Sequence, residues 1–176
     1  MTSAAHIIET PRLVLREFAR EDAETLAAVL SDPETMQYYP APLTPAGVEE
    51  WIDRNRKRYA IDRHGLWAMI LKSSGELIGD CGLIRHKIEG IEEVEIGYHV
   101  RRELWRQGFA SEAAQACRDY GFARLSLDRL VSLIRPENLA SRRVAEKIGM
   151  NLWKLVLWHQ IPHCVYVIRR AELRSQ

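Results

Sequence analysis

The stretch that decides the fold reads Glu95-Ile96-Gly97-Tyr98-His99-Val100, and it continues after a short loop with Arg106-Gln107-Gly108-Phe109-Ala110-Ser111. A strand ends, the chain turns at a glycine, and a helix begins at once. The first backbone N–H groups of a helix lack acceptors within the helix, and the helix dipole adds positive charge there. Gly108 and Ala110 leave this backbone open to close approach, and Arg101, Arg102 and Arg106 surround the turn and add charge. The stretch therefore predicts an anion site at residues 106–111, although a plain strand-to-helix turn would use the same residues.

The segments around this stretch alternate between strand and helix periods. Strands are predicted at 13–18, 66–72, 77–84, 91–100, 130–135, 152–158 and 164–168, and helices at 22–32, 44–65, 110–121 and 140–148. Strands 91–100 and 130–135 are linked through a helix, so they should run parallel, while the other strands should be antiparallel. The prediction is a mixed α/β fold: a mostly antiparallel sheet of about six to seven strands with helices on both faces, in one domain over residues 1–176.

Composition excludes several classes of protein. A net charge of +1 over 176 residues argues against a dedicated nucleic-acid binder. The three cysteines are far apart and form no C-x-x-C pair, which predicts no metal site and fits a reducing compartment. No apolar run is long enough to span a membrane, and Met1–His6 shows no signal peptide pattern. We therefore expect a cytoplasmic protein, either a monomer or a homodimer.

A second motif, Asn138-Leu139-Ala140-Ser141-Arg142-Arg143-Val144-Ala145-Glu146-Lys147-Ile148-Gly149, follows a predicted strand and opens a helix. Taken with Glu95–Tyr98 and Trp105–Ala113, it resembles the GNAT superfamily of acetyltransferases, particularly the RimJ/RimL-type branch. That branch carries E-I-G-Y, then W-x-x-G-[YF]-A-[ST]-E-A, then N-x-x-S-x-x-V-x-E-K-x-G. All three occur here in the same order and at matching separation, and the resemblance covers almost the whole chain.

The resemblance implies acetyl-CoA as cosubstrate, bound where the two parallel strands splay apart. Backbone groups of the first strand would bond the pantetheine arm, and those implied belong to Ile96, Tyr98 and Val100. The turn 106–111 would hold the pyrophosphate. Asn138 would bond the pantetheine or hold its loop; the alternative is a plain helix N-cap. The segment Tyr38–Pro42 lies in the region that covers the acceptor site in this fold.

Amide formation needs a neutral amine, so a base must accept a proton from the acceptor. Glu95 is the first candidate, because strand alternation places it beside the splay on the face opposite Val94 and Ile96. The alternative for Glu95 is a carboxylate that is solvated or paired with an arginine. Glu93 and His99 are weaker candidates for the base.

A proton donor to the leaving thiolate is the second catalytic group to identify. GNAT enzymes often carry a tyrosine for this purpose four residues after the serine of the second motif, and this sequence has Ala145 there. Ser141 is the natural substitute, with helix-start hydrogen bonding as its alternative. We expect an N-acetyltransferase that acts on a primary amine, first of all a protein or peptide N-terminus. The alternatives are a small-molecule amine as acceptor, or an acetyl-CoA sensor without turnover.

Overall fold

The chain folds into the alternation of strands and helices that its hydrophobic periods predict, and a computed structural model describes residues 6–173. The strands are β1 (His6–Glu9), β2 (Leu13–Arg16), β3 (Leu66–Leu71), β4 (Leu77–Ile88), β5 (Ile91–Val100), β6 (Arg129–Ile134), β7 (Asn151–Trp158) and β8 (Ile161–Arg169). The helices are α1 (Ala23–Leu30), α2 (Pro45–Asp62), α3 (Phe109–Ala123), α4 (Leu139–Lys147) and α5 (Arg170–Leu173). The expectations about a signal peptide and about the ends of the domain concern residues outside the described part.

The strands form one sheet in the order β1-β2-β3-β4-β5-β6-β8-β7. Every neighbouring pair is antiparallel except β5 and β6, which run parallel. These two strands share a single registered residue pair, Glu95 with Val131. Regular backbone pairing is therefore confined to one position, and the predicted mixed sheet with a splayed central pair is confirmed.

The sheet has eight strands, one more than the upper end of the prediction. The additional strand is β1, whose four residues pair with β2 at the edge of the sheet. β1 is too short to show an alternation of its own, and only its pairing with β2 makes it a strand. β4 is also longer than predicted and reaches Ile88, because residues 79–88 of β4 pair with the whole of β5.

The hairpin between β7 and β8 turns at His159 and Gln160, which have φ angles of 45° and 63°. Two successive positive φ angles are typical of a two-residue hairpin turn, for which Asn-Gly is the usual sequence signal. Neither residue carries that signal, so the sequence indicated a turn around Pro162 instead. Pro162 lies inside β8, opposite Leu157.

Helices cover both faces of the sheet, as predicted. On one face, α3 packs against β4 and β5, and the buried Sγ atoms of Cys81 and Cys117 lie 3.5 Å apart. On the other face, α2 brings Trp51 against the ring of His99 and within hydrogen-bond distance of Asp80. Each fully buried large apolar side chain contributes about 1.5–3 kcal/mol. The central strands β4 and β5 are therefore covered on both faces, and the splay lies beside them, between β5 and β6.

The surface of the described residues has two further features. None of their helices is both long and apolar enough to cross a membrane. The edge strand β7 exposes four large apolar side chains, those of Leu152, Trp153, Leu155 and Leu157. The oligomeric state stays a prediction.

Candidate active site

A cleft of about 330 Å³ opens at the splay between β5 and β6. Its floor comes from these two strands, and its walls come from α2, the start of α4, the segment 38–40 and the hairpin residues 158–163. Two of its lining residues are Glu95 and Ser141, the side chains that the sequence proposed for catalysis. His99 and Asn138 line the same cleft. The topology thus brings together the residues of the two sequence motifs.

Glu95 lies in the cleft with both carboxylate oxygens engaged. Its Oε1 accepts a hydrogen bond from the backbone N–H of Leu133 at 3.2 Å, and its Oε2 lies 2.7 Å from His86 Nε2. The side chain is 15% exposed, whereas its neighbours Val94 and Ile96 are buried in the core. The alternation predicted from the sequence therefore holds, but Glu95 is neither freely solvated nor paired with an arginine.

The two weaker candidates for the base have separate surroundings. Glu93 is buried and forms an ion pair with Arg129, whose Nε donates to Glu93 Oε2 at 2.8 Å. Glu93 does not line the cleft, so its carboxylate serves to hold β5 to β6. His99 does line the cleft, and its ring nitrogens contact two side chains that the sequence did not single out as partners.

These two partners are Asp80 and Tyr39. Asp80 Oδ1 lies 2.7 Å from His99 Nδ1, and the Tyr39 hydroxyl lies 2.7 Å from His99 Nε2. The second oxygen of Asp80 accepts a hydrogen bond from Trp51 Nε1 at 2.9 Å. Asp80 is fully buried. An acidic residue inside the otherwise apolar segment 77–84 was the available sequence signal, because a buried carboxylate is rare unless it is paired.

Ser141 and Asn138 lie at the start of α4. The Asn138 side-chain oxygen accepts a hydrogen bond from the Ser141 backbone N–H at 3.1 Å, so Asn138 is the helix N-cap. The Ser141 carbonyl accepts a bond from the Tyr98 hydroxyl at 2.8 Å, which ties α4 to β5 across the splay. Within residues 6–173 the Ser141 hydroxyl itself has no hydrogen-bond partner. Ala145, where GNAT enzymes often have a tyrosine, is fully buried.

The turn predicted to bind an anion has the expected geometry. The helix α3 begins at Phe109, and Gly108 before it has a φ of 84°, a conformation that glycine adopts without strain. The first backbone bond of this region that the described residues contain is from Glu112 N–H to the Gly108 carbonyl. The N–H groups of residues 109–111 are therefore available to an anion.

The arginines around this turn do not all contribute free charge. Arg101 and Arg102 form ion pairs with carboxylates of neighbouring loops, among them Glu76 at 3.6 Å and Glu34 at 3.0 Å. Arg106 has no carboxylate partner in the described part of the chain. Two of the three arginines predicted to add charge at the turn are thus paired with neighbouring carboxylates.

Arg12, the residue before β2, holds the turn through contacts that no sequence motif indicated. One guanidinium nitrogen donates to the Gln107 carbonyl at 2.9 Å, and the guanidinium lies 4.3 Å from the centre of the Phe109 ring. Arg12 Nε also pairs with Glu112 at 2.6 Å in the first turn of α3. The turn is thus held in shape by side chains that approach from the side of the sheet edge.

Two of the three backbone positions proposed for the pantetheine arm have carbonyls that already accept a hydrogen bond within the protein. The Ile96 carbonyl accepts a hydrogen bond from Ser132 Oγ at 2.9 Å, which shows that it points toward β6. The Val100 carbonyl accepts a bond from Trp105 Nε1 at 2.7 Å. Tyr98 lies between these two residues on the strand and lines the cleft. Burial raises the pKa of the Tyr98 phenol above its ordinary value.

Comparisons with known proteins agree with this geometry. The family model described as the acetyltransferase (GNAT) domain matches residues 12–151. The uncharacterized protein YkkB of Bacillus subtilis (strain 168) is 40% identical over 89% of this chain and 92% of its own length. The uncharacterized N-acetyltransferase YnaD of the same organism is 34% identical over 82% of each chain.

Solved structures give the same result. An acetyltransferase from Agrobacterium tumefaciens str. C58 has a TM-score of 0.82 and 27% identity, with 97% of each chain covered. A GNAT-family acetyltransferase from Bacillus anthracis has a TM-score of 0.78 and 30% identity, and the match covers 92% of this chain and 97% of that one. This chain therefore belongs to the GNAT family and is an acetyl-transferring acyltransferase.

Proposed function

We propose that the protein is an N-acetyltransferase that transfers the acetyl group of acetyl-CoA to a primary amine, namely the α-amino group at the N-terminus of a protein or peptide. One observation carries the proposal: Glu95, and Ser141 with a hydroxyl that has no partner within residues 6–173, line the same cleft at the splay of β5 and β6. An amine and a thioester that meet in this cleft would have a proton acceptor and a proton donor beside them.

The fit to acetyl-CoA rests on two features of this chain. The N–H groups of residues 109–111 and Arg106, which have no partners within residues 6–173, suit a pyrophosphate. The splay leaves room for an extended pantetheine arm beside β5. Structures of the same fold have been solved with coenzyme A, including one of aminoglycoside acetyltransferase AAC(6')-Ib at a TM-score of 0.76 and 18% identity. Acetyl-CoA supplies the activated acyl group in the proposed reaction.

Glu95 acts in this proposal as the base that accepts a proton from the acceptor nitrogen as the new C–N bond forms. The hydrogen bond from Leu133 fixes the carboxylate beside the splay, and His86 contacts its second oxygen. A carboxylate has about four lone-pair sites, so two contacts leave others free for the amine. General-base assistance of this kind contributes about 10²–10⁴-fold to rate.

Ser141 acts as the donor to the departing thiolate sulfur: as its hydroxyl proton moves to sulfur, its oxygen takes through water the proton that Glu95 removed from nitrogen, so no alkoxide remains. The Ser141 N–H donates to Asn138, its carbonyl accepts from Tyr98, and its hydroxyl has no hydrogen-bond partner within residues 6–173. The backbone of Ser141 is thereby fixed at the cleft end of α4. A donor held in this way needs little reorganisation when the charge develops on sulfur.

The choice of acceptor rests on similarity and on an exposed side chain among the residues that line the cleft. A B. subtilis relative, YdaF, which is 28% identical over 78% of this chain, is provisionally named a ribosomal N-acetyltransferase. Tyr39 is 45% exposed at the edge of the cleft, where a chain that continues from the amine can leave. A small-molecule amine is the second candidate acceptor, because aminoglycoside acetyltransferases share the fold.

The test is a turnover assay with acetyl-CoA against a panel of peptides with free or blocked N-termini, polyamines, aminoglycosides and amino acids. We expect thiol release that depends on a free peptide N-terminus and stops when that amine is blocked. Turnover with small amines alone would assign the second class of acceptor. Tight acetyl-CoA binding without transfer to any member of the panel would favour a sensor and reject the enzyme proposal.

A further inference from the structure

Three side chains from separate parts of the chain form one line of hydrogen bonds that ends in the cleft. Asp80 on β4 contacts Nδ1 of His99 on β5 at 2.7 Å, and Nε2 of His99 contacts the Tyr39 hydroxyl at 2.7 Å. Asp80 and His99 are buried, whereas Tyr39 is 45% exposed. The line therefore runs from a buried carboxylate to a hydroxyl at the edge of the substrate cleft.

One tautomer of His99 gives each group along this line a role that matches its partner. The Trp51 indole can only donate, so Asp80 Oδ2 is an acceptor. In the His99 tautomer that donates its Nδ1 hydrogen to Asp80 Oδ1, Nε2 is bare and accepts the Tyr39 hydroxyl hydrogen. The lone pairs of the Tyr39 oxygen are consequently left to accept a hydrogen from another group.

Acetylation of an ammonium group removes two protons from the nitrogen, one before attack on the thioester and one during or after it. Glu95 is proposed above for the second of these protons, because it lies at the splay where the bond forms. We infer that Tyr39, His99 and Asp80 form a relay that takes the first proton, so that the enzyme accepts its substrate as the ammonium ion. This inference rests on the proposed acetylation of an amine in the same cleft.

This proton transfer needs no further reactant. The ammonium N–H bond breaks and its proton moves to the Tyr39 oxygen, while the Tyr39 hydroxyl proton moves to His99 Nε2. The products are a neutral amine, a regenerated tyrosine hydroxyl and an imidazolium that faces the Asp80 carboxylate. After the product leaves, the proton returns through Tyr39 to water that enters the open cleft, which Tyr39 lines. Tyr39 is the catalytic residue of this relay, and Asp80 is a positioning residue.

The surroundings of His99 contain both signs of charge. Asp80 faces it from β4, Glu95 lies two residues away on the same strand and lines the same cleft, and Trp51 packs edge-on against its ring from α2. Arg54 and Arg58, also on α2, line the cleft as well. Among the charged groups of residues 6–173, only Asp80 is within hydrogen-bond distance of a His99 ring nitrogen.

The test compares the pH dependence of kcat/KM for the peptide amine in wild type, Tyr39→Phe and Glu95→Gln. The ordinary pKa of an α-amine is about 7.7–8.0. An enzyme that must capture the neutral amine from solution loses about tenfold in kcat/KM per pH unit below that value. We expect the kcat/KM of wild type to stay nearly level from pH 8 to about pH 7. The kcat/KM of Tyr39→Phe should fall in proportion to the fraction of neutral amine, and it should match that of wild type at about pH 9.5. The kcat/KM of Glu95→Gln should be lower than that of wild type at every pH.

Two further variants complete the design. His99→Gln keeps an N–H donor for Asp80 but cannot accept a proton, so we expect the profile of Tyr39→Phe. Tyr120→Phe removes a hydroxyl from α3, remote from the cleft, and should match wild type.

If Tyr39→Phe folds and its pH profile of kcat/KM runs parallel to that of wild type, the relay is rejected. If wild type itself acetylates no amine, the proposed function fails instead, so the two failures are distinguishable. Should His99→Gln not fold, Tyr39→Phe alone decides.

Discussion

The Glu95 carboxylate accepts a hydrogen bond from the backbone N–H of Leu133 at 3.2 Å, on the neighbouring parallel strand. Regular backbone pairing between these strands is limited to Glu95 and Val131, so the Glu95 side chain, not the backbone, accepts the Leu133 N–H. In the other direction, the Ser132 hydroxyl donates a hydrogen bond to the Ile96 carbonyl. The proposed base is therefore part of the structure that holds the two strands at the splay.

Glu95→Gln tests the role of the carboxylate in proton transfer. A glutamine can still accept the Leu133 hydrogen bond, so we expect the fold and the affinity for acetyl-CoA to be unchanged within about threefold. Turnover should fall by about 10²–10⁴-fold, because an amide cannot take the proton. Steady-state kinetics and calorimetry measure both quantities. Glu92→Gln on the same strand is the control, since Glu92 is exposed and paired with Arg85. A normal rate in Glu95→Gln would make this residue structural.

Gly108→Val tests the pyrophosphate site. A valine strains the left-handed backbone at φ 84° and hinders approach to the N–H groups of residues 109–111, so we expect at least tenfold weaker acetyl-CoA binding by calorimetry. Gly75→Val is a matched control, because Gly75 has a φ of 73° with nothing within 4 Å of an added Cβ. Both variants should lose about 1–2 kcal/mol of unfolding free energy. Equal acetyl-CoA affinities in the two variants would remove the turn from the site.

Ser141→Ala tests the donor to the thiolate. The Ser141 backbone, not its hydroxyl, makes the bonds to Asn138 and Tyr98, so alanine should leave stability unchanged. We expect kcat to fall while KM for acetyl-CoA stays constant, which is the pattern for an interaction made in the transition state. Asn138→Ala is the control for the cap and should cost about 1 kcal/mol in unfolding free energy. A full rate in Ser141→Ala would leave protonation of the sulfur to water.

Glu112 gives a prediction about pH and stability. Burial alone would raise its pKa, but hydrogen bonds from Thr10 and Arg12 outweigh burial and hold the pKa below the ordinary glutamate value. A carboxyl whose pKa is lowered by folding stabilises the protein above its unfolded pKa, about 4.3, and that contribution is lost as pH falls through the folded value.

We therefore expect Glu112→Gln to lower the free energy of unfolding by about 1.5–3 kcal/mol at pH 7, and by progressively less below about pH 4.3. Urea unfolding at several pH values measures this difference. Glu24→Gln provides the comparison, because Glu24 is exposed in the first turn of α1 and has no ion pair within residues 6–173. A Glu112→Gln deficit that does not change with pH would mean that the charge of Glu112 is not what stabilises the turn.

The sequence predicted the parts of the site that local motifs determine. Strand β5, the turn at Gly108 and the start of α4 at Asn138 each follow from a short run of residues whose spacing reflects one structural requirement. The strand alternation also put Glu95 and Ile96 on opposite faces correctly. These features depend on neighbours in the chain, which a single sequence displays directly.

Contacts between distant segments could not be predicted in the same way. Tyr39, Asp80 and His99 come from a loop and two strands, and nothing in the sequence indicates that their side chains meet. The pairing of Arg102 with Glu34 depends on a loop that reaches the turn from α1, so the sequence alone suggested a free charge there. The edge strand β1 likewise exists only because β2 pairs with it.

A single-turnover reaction tests the proposed acetyl transfer most directly, with enzyme in excess over acetyl-CoA, saturating peptide amine, and thiol release and amide formation followed together. We expect the two products to appear at the same rate and in equal amounts in wild type. Glu95→Gln should slow both by at least about 100-fold while it binds acetyl-CoA with wild-type affinity. Thiol release without amide would refute acetyl transfer to the amine, and equal rates in wild type and Glu95→Gln would refute the role of Glu95 as the base.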